Sequence, residues 1–166
     1  MKRAVASVVV VLVACGAAAL VAQGGSAHVI SAPKDAQWGP APPFIPAGAQ
    51  IAVLSGDPGK AVPYAVRLKF PAGYAIAAHS HPTDENVVVT SGSLTFGMGD
   101  KLTKGAGNKA LATGGYALMP ANMNHFAYTT SAEATIVLYG MGPVEFKYVN
   151  AADDPRNAKK DTAGAR

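Results

Sequence analysis

Three of the four histidines in this 166-residue chain lie close together with one glutamate. His79 and His81 are two positions apart, Glu85 follows shortly after them, and His125 belongs to a later segment. Residues two apart on a β-strand point to the same face, so His79 and His81 would present their imidazoles together. Residues 82–84 have the composition of a turn, which could return Glu85 to the same place.

Three imidazoles and one carboxylate form a ligand set suited to a divalent transition metal. Iron, manganese, nickel, copper, cobalt and zinc accept such ligands, whereas calcium requires oxygen atoms only. On an octahedral ion, four protein ligands leave two positions open for water, dioxygen or a chelating substrate. On tetrahedral zinc the same four ligands would close the site and make it structural. The identity of the metal therefore decides whether chemistry takes place there.

The segments around these residues have the pattern of short strands. Between Tyr64 and Phe70, apolar and polar residues alternate, as expected of a half-buried strand. Turn-forming residues separate further strand candidates at intervals of roughly 8–12 residues, which is typical of a β-sandwich or β-barrel. No apolar stripe with helical spacing follows residue 27. The predicted strands cover residues 51–54, 64–70, 76–81, 86–90, 93–98, 116–119, 126–130, 135–140 and 144–149, with one more near 109–112.

The first 27 residues have the composition of an export signal. Lys2 and Arg3 precede an apolar stretch over residues 4–22, and small residues follow it. Three interpretations stay open, namely a cleaved secretory signal, a lipoprotein signal with Cys15 lipidated, and an uncleaved anchor, since the apolar stretch is close to the ~20 residues that span a bilayer. Each one places the domain outside the cytoplasm, in the periplasm or secreted. Cys15 is the only cysteine, so the mature domain has no internal disulfide.

The remaining chain divides into an arm, a body and a tail. Residues 28–50 are rich in proline and predict an irregular N-terminal arm, which Trp38, Phe44 and Ile45 would pack onto the body. Residues 51–150 hold the strands, and residues 151–166 form a polar tail predicted to be disordered. The net charge of +4 comes partly from the leader and the tail. No basic stripe is present, so nucleic acid is not an expected partner.

The histidine and glutamate positions resemble the two sequence motifs of the cupin superfamily. Gly73, His79, His81, Glu85 and Gly92 match every position of the first motif. In the second motif, three positions match and two differ. The matching residues are Gly114, Pro120 and His125, and the differing residues are Asn122 in place of a glycine and Thr129 in place of an asparagine. Asn tolerates the left-handed backbone conformation that a turn glycine would supply, so we expect His125 to keep its position.

The resemblance implies an all-β, single-domain cupin, a jelly-roll barrel of the double-stranded β-helix type, with the metal in its mouth. It implies that His79, His81, Glu85 and His125 are the metal ligands. The chain is also similar to small secreted single-domain cupins. Barrels of this kind often pair through their strands, which makes a homodimer an alternative to a monomer.

Two classes of function follow from this site. One is a metal-dependent oxidoreductase resembling a dioxygenase, in which Glu85 is first a ligand and could detach to act as a base on a small-molecule substrate. The other is a non-catalytic protein of the cell envelope that binds a metal or a small ligand. A cupin isomerase, lyase or decarboxylase is a third alternative. Several large side chains could wall the pocket, although most such residues belong to the core: Phe96, Met98, Met119, Phe126, Tyr128 and Tyr139.

Overall fold

The computed structural model describes residues 29–157, and the part described is built from β-strands. The predicted export signal over residues 1–27, His28 and the end of the predicted tail, residues 158–166, lie outside the described residues. Between residues 29 and 157 there is no α-helix, and no helix there is long and apolar enough to cross a bilayer. The all-β prediction is confirmed.

Ten strands make up the body, all paired antiparallel, and two short 3₁₀ helices flank them at Pro33–Asp35 and Ala151–Asp153. The strands are β1 (Gly39–Pro40), β2 (Gln50–Gly56), β3 (Pro63–Phe70), β4 (Ala75–Ser80), β5 (Glu85–Met98), β6 (Lys109–Ala112), β7 (Tyr116–Met119), β8 (His125–Tyr128), β9 (Ala134–Met141) and β10 (Lys147–Tyr148).

The long strand β5 joins two halves of one curled sheet. Its first half pairs with β9 and β7, and beyond β9 the sheet continues through β3 and β2 to β1. Its second half pairs with β6 and β8, and beyond β8 the sheet continues through β4 to β10. The two halves curl toward each other, which gives the jelly-roll arrangement that the resemblance implied.

Strand β5 differs from the sequence prediction, which expected two strands over residues 86–90 and 93–98 with turn-forming residues, Gly92 among them, between the two. The chain bends there without leaving the sheet, with φ of +72° at Gly92 and a bulge between Val89 and Ser91. A Cβ atom at position 92 would lie 2.1 Å from the carbonyl oxygen of Glu133. Glycine is therefore needed for the close approach of two backbones, and the residue that was predicted to end a strand instead bends one.

The core fills the space inside the curl. Tyr64, Val66, Leu68 and Phe70 of β3 are all buried, as their alternation predicted, and they pack with residues from β9 and β5. The first half of β5 contributes Val87 and Val89, which are almost fully buried. The core therefore lies directly beneath the barrel end that carries the histidines.

The N-terminal arm lies against the body. Ile45 is buried in the core cluster, and Phe44 packs against it. The hydroxyl of Tyr148 donates a hydrogen bond of 2.8 Å to the carbonyl of Phe44, and Lys69 lies over the ring of Trp38 at 4.7 Å from its centre. All three apolar residues that the sequence analysis assigned to this contact take part in it.

The C-terminal part of the chain differs from the prediction in two ways. Its last strand is shorter than predicted, and the first residues of the tail are folded. The predicted strand over residues 144–149 is only the two-residue β10, because its partner β4 pairs over just His79 and Ser80. The first residues of the predicted disordered tail are folded, since the 3₁₀ helix follows β10 and Arg156 donates a 3.0 Å hydrogen bond to the carbonyl of Phe146.

Candidate metal centre

Four side chains from three strands and one turn converge at one end of the barrel. His79 lies near the end of β4, and His81 follows just after that strand. His125 begins β8 and is the direct cross-strand partner of His79, while Glu85 is the first residue of β5. All four are buried, at 8% exposure or less. The antiparallel register therefore brings together residues that are more than 40 positions apart in the sequence.

The three imidazoles face one another. Their ring centres are 4.4 Å apart between His79 and His125, 4.9 Å between His79 and His81, and 5.2 Å between His81 and His125. One nitrogen from each ring lies within 4.8 Å of a nitrogen of the other two, which is close enough for one ion to bridge the three.

A backbone carbonyl fixes the orientation of each ring. The Nδ1 atom of His79 lies 2.7 Å from the carbonyl oxygen of Ala77, that of His81 lies 2.8 Å from Glu145, and that of His125 lies 3.0 Å from Met123. A carbonyl only accepts hydrogen bonds, so each Nδ1 must carry the hydrogen. In a neutral ring this leaves the lone pair on Nε2 free for a metal, an arrangement common to metal-binding histidines.

Burial keeps the imidazole of His79 neutral. Removal from water, followed in importance by the neighbouring His125 and His81, lowers the pKa of His79 to about 3. Because the charged form is disfavoured in a buried site with other imidazoles, His79 is unprotonated at neutral pH. An unprotonated ring is the form that binds metals.

Glu85 adds an anionic group to the cluster. Its carboxylate oxygens lie 3.5 Å from Nε2 of His81 and 3.7 Å from Nε2 of His125, which is longer than a normal hydrogen bond. Burial raises the pKa of Glu85, but the contact with His125 and the neighbouring imidazoles outweigh it and hold the pKa below its ordinary value. Glu85 is therefore a carboxylate at neutral pH, and it faces nitrogens to which it is not directly bonded.

These residues fit a divalent transition metal. The Nε2 atom of His81 is buried and has no hydrogen-bond partner, an unusual state for a buried polar atom. Ligation would satisfy it, and the three nitrogens with one carboxylate match the ligand chemistry of iron, manganese, copper, nickel or zinc. The four residues predicted as ligands are thus all at this one site.

Two hydrogen bonds join the loops that carry the ligands. Asp84, in the turn before Glu85, accepts a 2.8 Å bond from the backbone N–H of Ala121, and the N–H of Asn122 donates a 2.7 Å bond to the carbonyl of His81. Asn122 has φ of +61°, as expected for a residue in the position of a turn glycine. Asp84 is therefore a turn residue that holds the first ligand loop against the second.

Phe146 is the site residue that the sequence did not indicate. Its ring stacks on His79 at 4.4 Å with an angle of 11°, and it meets His81 edge-on at 4.5 Å. The ring of Phe44 in the arm lies 5.1 Å from it on another side. Phe146 follows no motif and lies in a segment of little regular structure, so only the folded chain places it over the histidines.

Other residues considered in the sequence analysis have different places. Phe96 borders the small space beside the cluster, together with His79, Glu85 and His125. Met98 and Tyr139 are exposed to solvent, although Met98 is the cross-strand partner of His125, and the rest of the proposed wall residues are buried.

A family comparison agrees with the geometry. The family model of the ChrR cupin-like domain matches residues 26–145, which is most of the chain. The chain is a cupin. It belongs to the ChrR cupin-like family, and the superfamily resemblance of its motifs is confirmed. No curated protein matches this cupin in sequence.

Solved structures share the fold at low sequence identity. The polyketide cyclase RemF from Streptomyces resistomycificus is 14% identical with a TM-score of 0.54, over 68% of this chain and 78% of that one. The DMSP lyase DddQ from Ruegeria pomeroyi DSS-3 is 22% identical with a TM-score of 0.51, over 64% and 56%. KdgF from a Halomonas species is 18% identical with a TM-score of 0.51, over 70% and 94%. At these identities the likeness extends to the fold alone.

Proposed function

We propose that this cupin binds one divalent transition metal through His79, His81, Glu85 and His125, and that it is a metal-dependent oxidoreductase resembling a dioxygenase. The observation that carries the proposal is the shared orientation of the three imidazoles. Each Nδ1 is bonded to a backbone carbonyl, so all three Nε2 atoms are left for a metal. We further propose that it acts outside the cytoplasm on a small molecule, as the export signal predicts.

The surroundings of the four ligands support this chemistry. When bound, an octahedral ion would supply Lewis acidity and, if redox-active, electron transfer at two positions that the protein does not fill. The stacked Phe146 and the apolar wall beside the cluster leave room there for little more than a water molecule. Glu85 is the only carboxylate among the four groups, and it would take up a proton if it left the ion, which makes it the candidate base.

A second candidate is a non-catalytic protein that binds a metal or a small ligand. The space directly beside the cluster is only about 30 Å³, and all four ligands are nearly inaccessible. A space of this size holds a water molecule but no larger substrate. Catalysis would therefore need the arm or Phe146 to move, whereas storage or structural use of the metal would not.

Non-oxidative chemistry is the third alternative. Two of the similar structures are described as a lyase and a cyclase, so the shared fold is compatible with reactions other than oxidation. An isomerase, lyase or decarboxylase would use the ion as a Lewis acid only. Such an enzyme would work with a redox-inert metal and would consume no oxygen.

Metal analysis combined with oxygen uptake separates these candidates. The chain is purified without chelators, its metals are measured, and oxygen consumption is followed across a panel of small molecules. The variant His79→Ala/His81→Ala, given the same total metal, controls for reactions of free ions. Iron, manganese or copper with oxygen uptake that the variant lacks supports the oxidoreductase. Zinc at full occupancy without oxygen uptake contradicts it and favours the binding protein or the non-oxidative enzyme.

A further inference from the structure

A second cavity, of about 170 Å³, lies next to the metal centre. Its walls come from four parts of the chain, one of which is the loop between β2 and β3 with Pro58 and Gly59. The arm contributes Pro42 and Phe44, the inner face of the curled sheet contributes Ile51 and Val66, and the segment before β10 contributes Val144 and Phe146. The cavity is thus the space between the N-terminal arm and the open end of the barrel.

The lining of this cavity is almost entirely apolar. Among the residues that line it, Tyr64 has the only polar side chain. Burial, and after it the nearby Glu85, raises the pKa of Tyr64, so its phenol is uncharged. A charged or polyhydroxylated molecule would lose its hydrogen bonds to water here and gain at most one in return, which is unfavourable.

The cavity and the metal centre share a wall. Phe146 lines both the cavity and the small space beside the histidines, and so do Ile45, Leu68 and Leu138. One face of the Phe146 ring lies on His79. A molecule with one end at the ion could therefore place its other end in the cavity by displacing only this shared apolar wall.

We infer that the cavity holds an uncharged apolar group, about the size of a benzene ring, of the molecule that binds at the metal centre. The inference rests on the proposed metal binding and narrows the class of ligand. The size follows from the volume, because an apolar cavity of about 150 Å³ in another protein takes up benzene. A sugar ring or a phosphate group is excluded from the cavity itself by the lack of polar partners in the lining.

The first test titrates benzene into the metal-free protein and follows the NMR signals of its methyl groups. The protein is used in the form that the cell produces after any processing of the leader. We expect the signals of Ile51, Val66 and Val144 to shift in a saturable way. The variant Val144→Phe fills the cavity from a half-buried position and should abolish the shifts. Val53→Phe makes the same change at an exposed position outside the lining and should bind benzene as the unmodified chain does. An absence of saturable shifts in the unmodified chain would overturn the inference.

The second test uses the cobalt-loaded chain and two hydroxamates that differ only in the group attached to the metal-binding head. Binding is followed by the visible absorption of Co(II). We expect benzohydroxamate to bind at least about tenfold more tightly than acetohydroxamate, because its ring gains an apolar site. In Val144→Phe this preference should fall below about twofold, while Val53→Phe should keep it.

The two tests separate the inference from the proposed function. Equal affinity for both hydroxamates in the unmodified chain would overturn the inference while leaving metal binding intact. Failure to bind cobalt, together with saturable benzene binding that Val144→Phe abolishes, would overturn the metal proposal and support the apolar cavity as a binding site in its own right.

Discussion

At the scale of single residues, the main feature of this cupin is that its histidines are oriented before any ion arrives. The carbonyls of Ala77, Met123 and Glu145 hold the three Nδ1 atoms, and the burial of His79 keeps that ring neutral. A metal then meets ligands whose rotational freedom is already lost. The cost is a buried, unpartnered Nε2 atom on His81 in the metal-free protein.

Removal of two imidazoles tests the ligand assignment. In His79→Ala/His81→Ala we expect the metal content per chain to fall by more than about tenfold, because half of the ligand set is gone. His28→Ala, which changes the one histidine that is not a predicted ligand, should keep its metal. Mass spectrometry of the metals in both purified variants makes the comparison, and an unchanged content in the double variant would refute the assignment.

The depressed pKa of His79 predicts how the metal-free protein responds to acid. Its pKa is about 3 in the folded chain, compared with the ordinary value of 6.5 expected after unfolding. Between these values the unfolded chain binds a proton that the folded chain does not, so stability is full above about pH 6.5 and declines as the pH falls toward 3. The decline due to this residue is at most about 1.4 kcal/mol per pH unit.

Denaturant unfolding of the metal-free chain at several pH values measures this effect. His79→Gln, which does not titrate, should show a shallower loss of stability between pH 6.5 and 4 than the unmodified chain. Identical slopes for the two proteins would show that His79 is not held neutral by its surroundings.

At the scale of elements, short-range patterns predicted most strands but not how they are joined. Alternation located β3 closely, and β6 and β7 lie where they were predicted. The continuity of β5 was missed because a glycine in the left-handed region is typical of a turn, and only the neighbouring backbone of Glu133 shows that it bends a strand. The length of β10 likewise depends on its pairing with β4, and the sequence of β10 alone does not indicate where that pairing ends.

Gly92 and Gly73 form a matched pair for testing that bend. Their φ angles are +72° and +71°, but a Cβ atom at Gly73 would meet nothing within 4 Å, whereas one at Gly92 would collide with the carbonyl of Glu133. Gly73→Ala should cost about 1–2 kcal/mol from backbone strain alone. Gly92→Ala should cost a further 1–3 kcal/mol, roughly, from overpacking. Equal losses in denaturant unfolding would mean that the backbones at Gly92 and Glu133 do not approach as closely as described.

Thr129 stands where the second motif usually has an asparagine, and its side chain forms two hydrogen bonds inside the protein. Its hydroxyl, 1% exposed, accepts a 2.8 Å bond from the N–H of Tyr74 and donates a 2.7 Å bond to the carbonyl of Pro71. It thereby fixes the turn that precedes the histidine strand β4. The sequence showed the substitution but not this role, because both partners are more than 50 positions away.

Loss of that hydroxyl should destabilise the fold without removing the metal ligands. Thr129→Val keeps the shape but leaves a buried N–H unpaired, and we expect the free energy of unfolding to fall by about 1–3 kcal/mol. Thr129→Ser retains the hydroxyl and should lose less. Thermal or denaturant unfolding compares the two, and equal stability of the valine variant and the unmodified chain would contradict the role given to this residue.

At the scale of the whole molecule, the candidate site is enclosed by parts of the chain that carry no motif. The four ligands could be named from spacing and from the cupin resemblance, because strand geometry converts spacing into direction. The residues that cover these ligands could not be named from the sequence. Phe44, Ile45 and Phe146 reach the site only through the packing of the arm and of the segment before β10, and such long-range contacts leave no periodic signal in the sequence.

This enclosure connects the two proposals. The ligands are buried beneath Phe146, and the apolar cavity lies on its other side, so the same ring separates ion and cavity. A ligand that extends from the ion into the cavity must displace this apolar wall, which disfavours a charged group on that side.

The central claim is that four side chains hold one ion, and anomalous diffraction from crystals of the metal-loaded protein tests it most directly. We expect a single anomalous peak about 2.0–2.2 Å from Nε2 of His79, His81 and His125 and from a carboxylate oxygen of Glu85. A peak elsewhere on the chain, or one that leaves out the imidazole of His125, would contradict it.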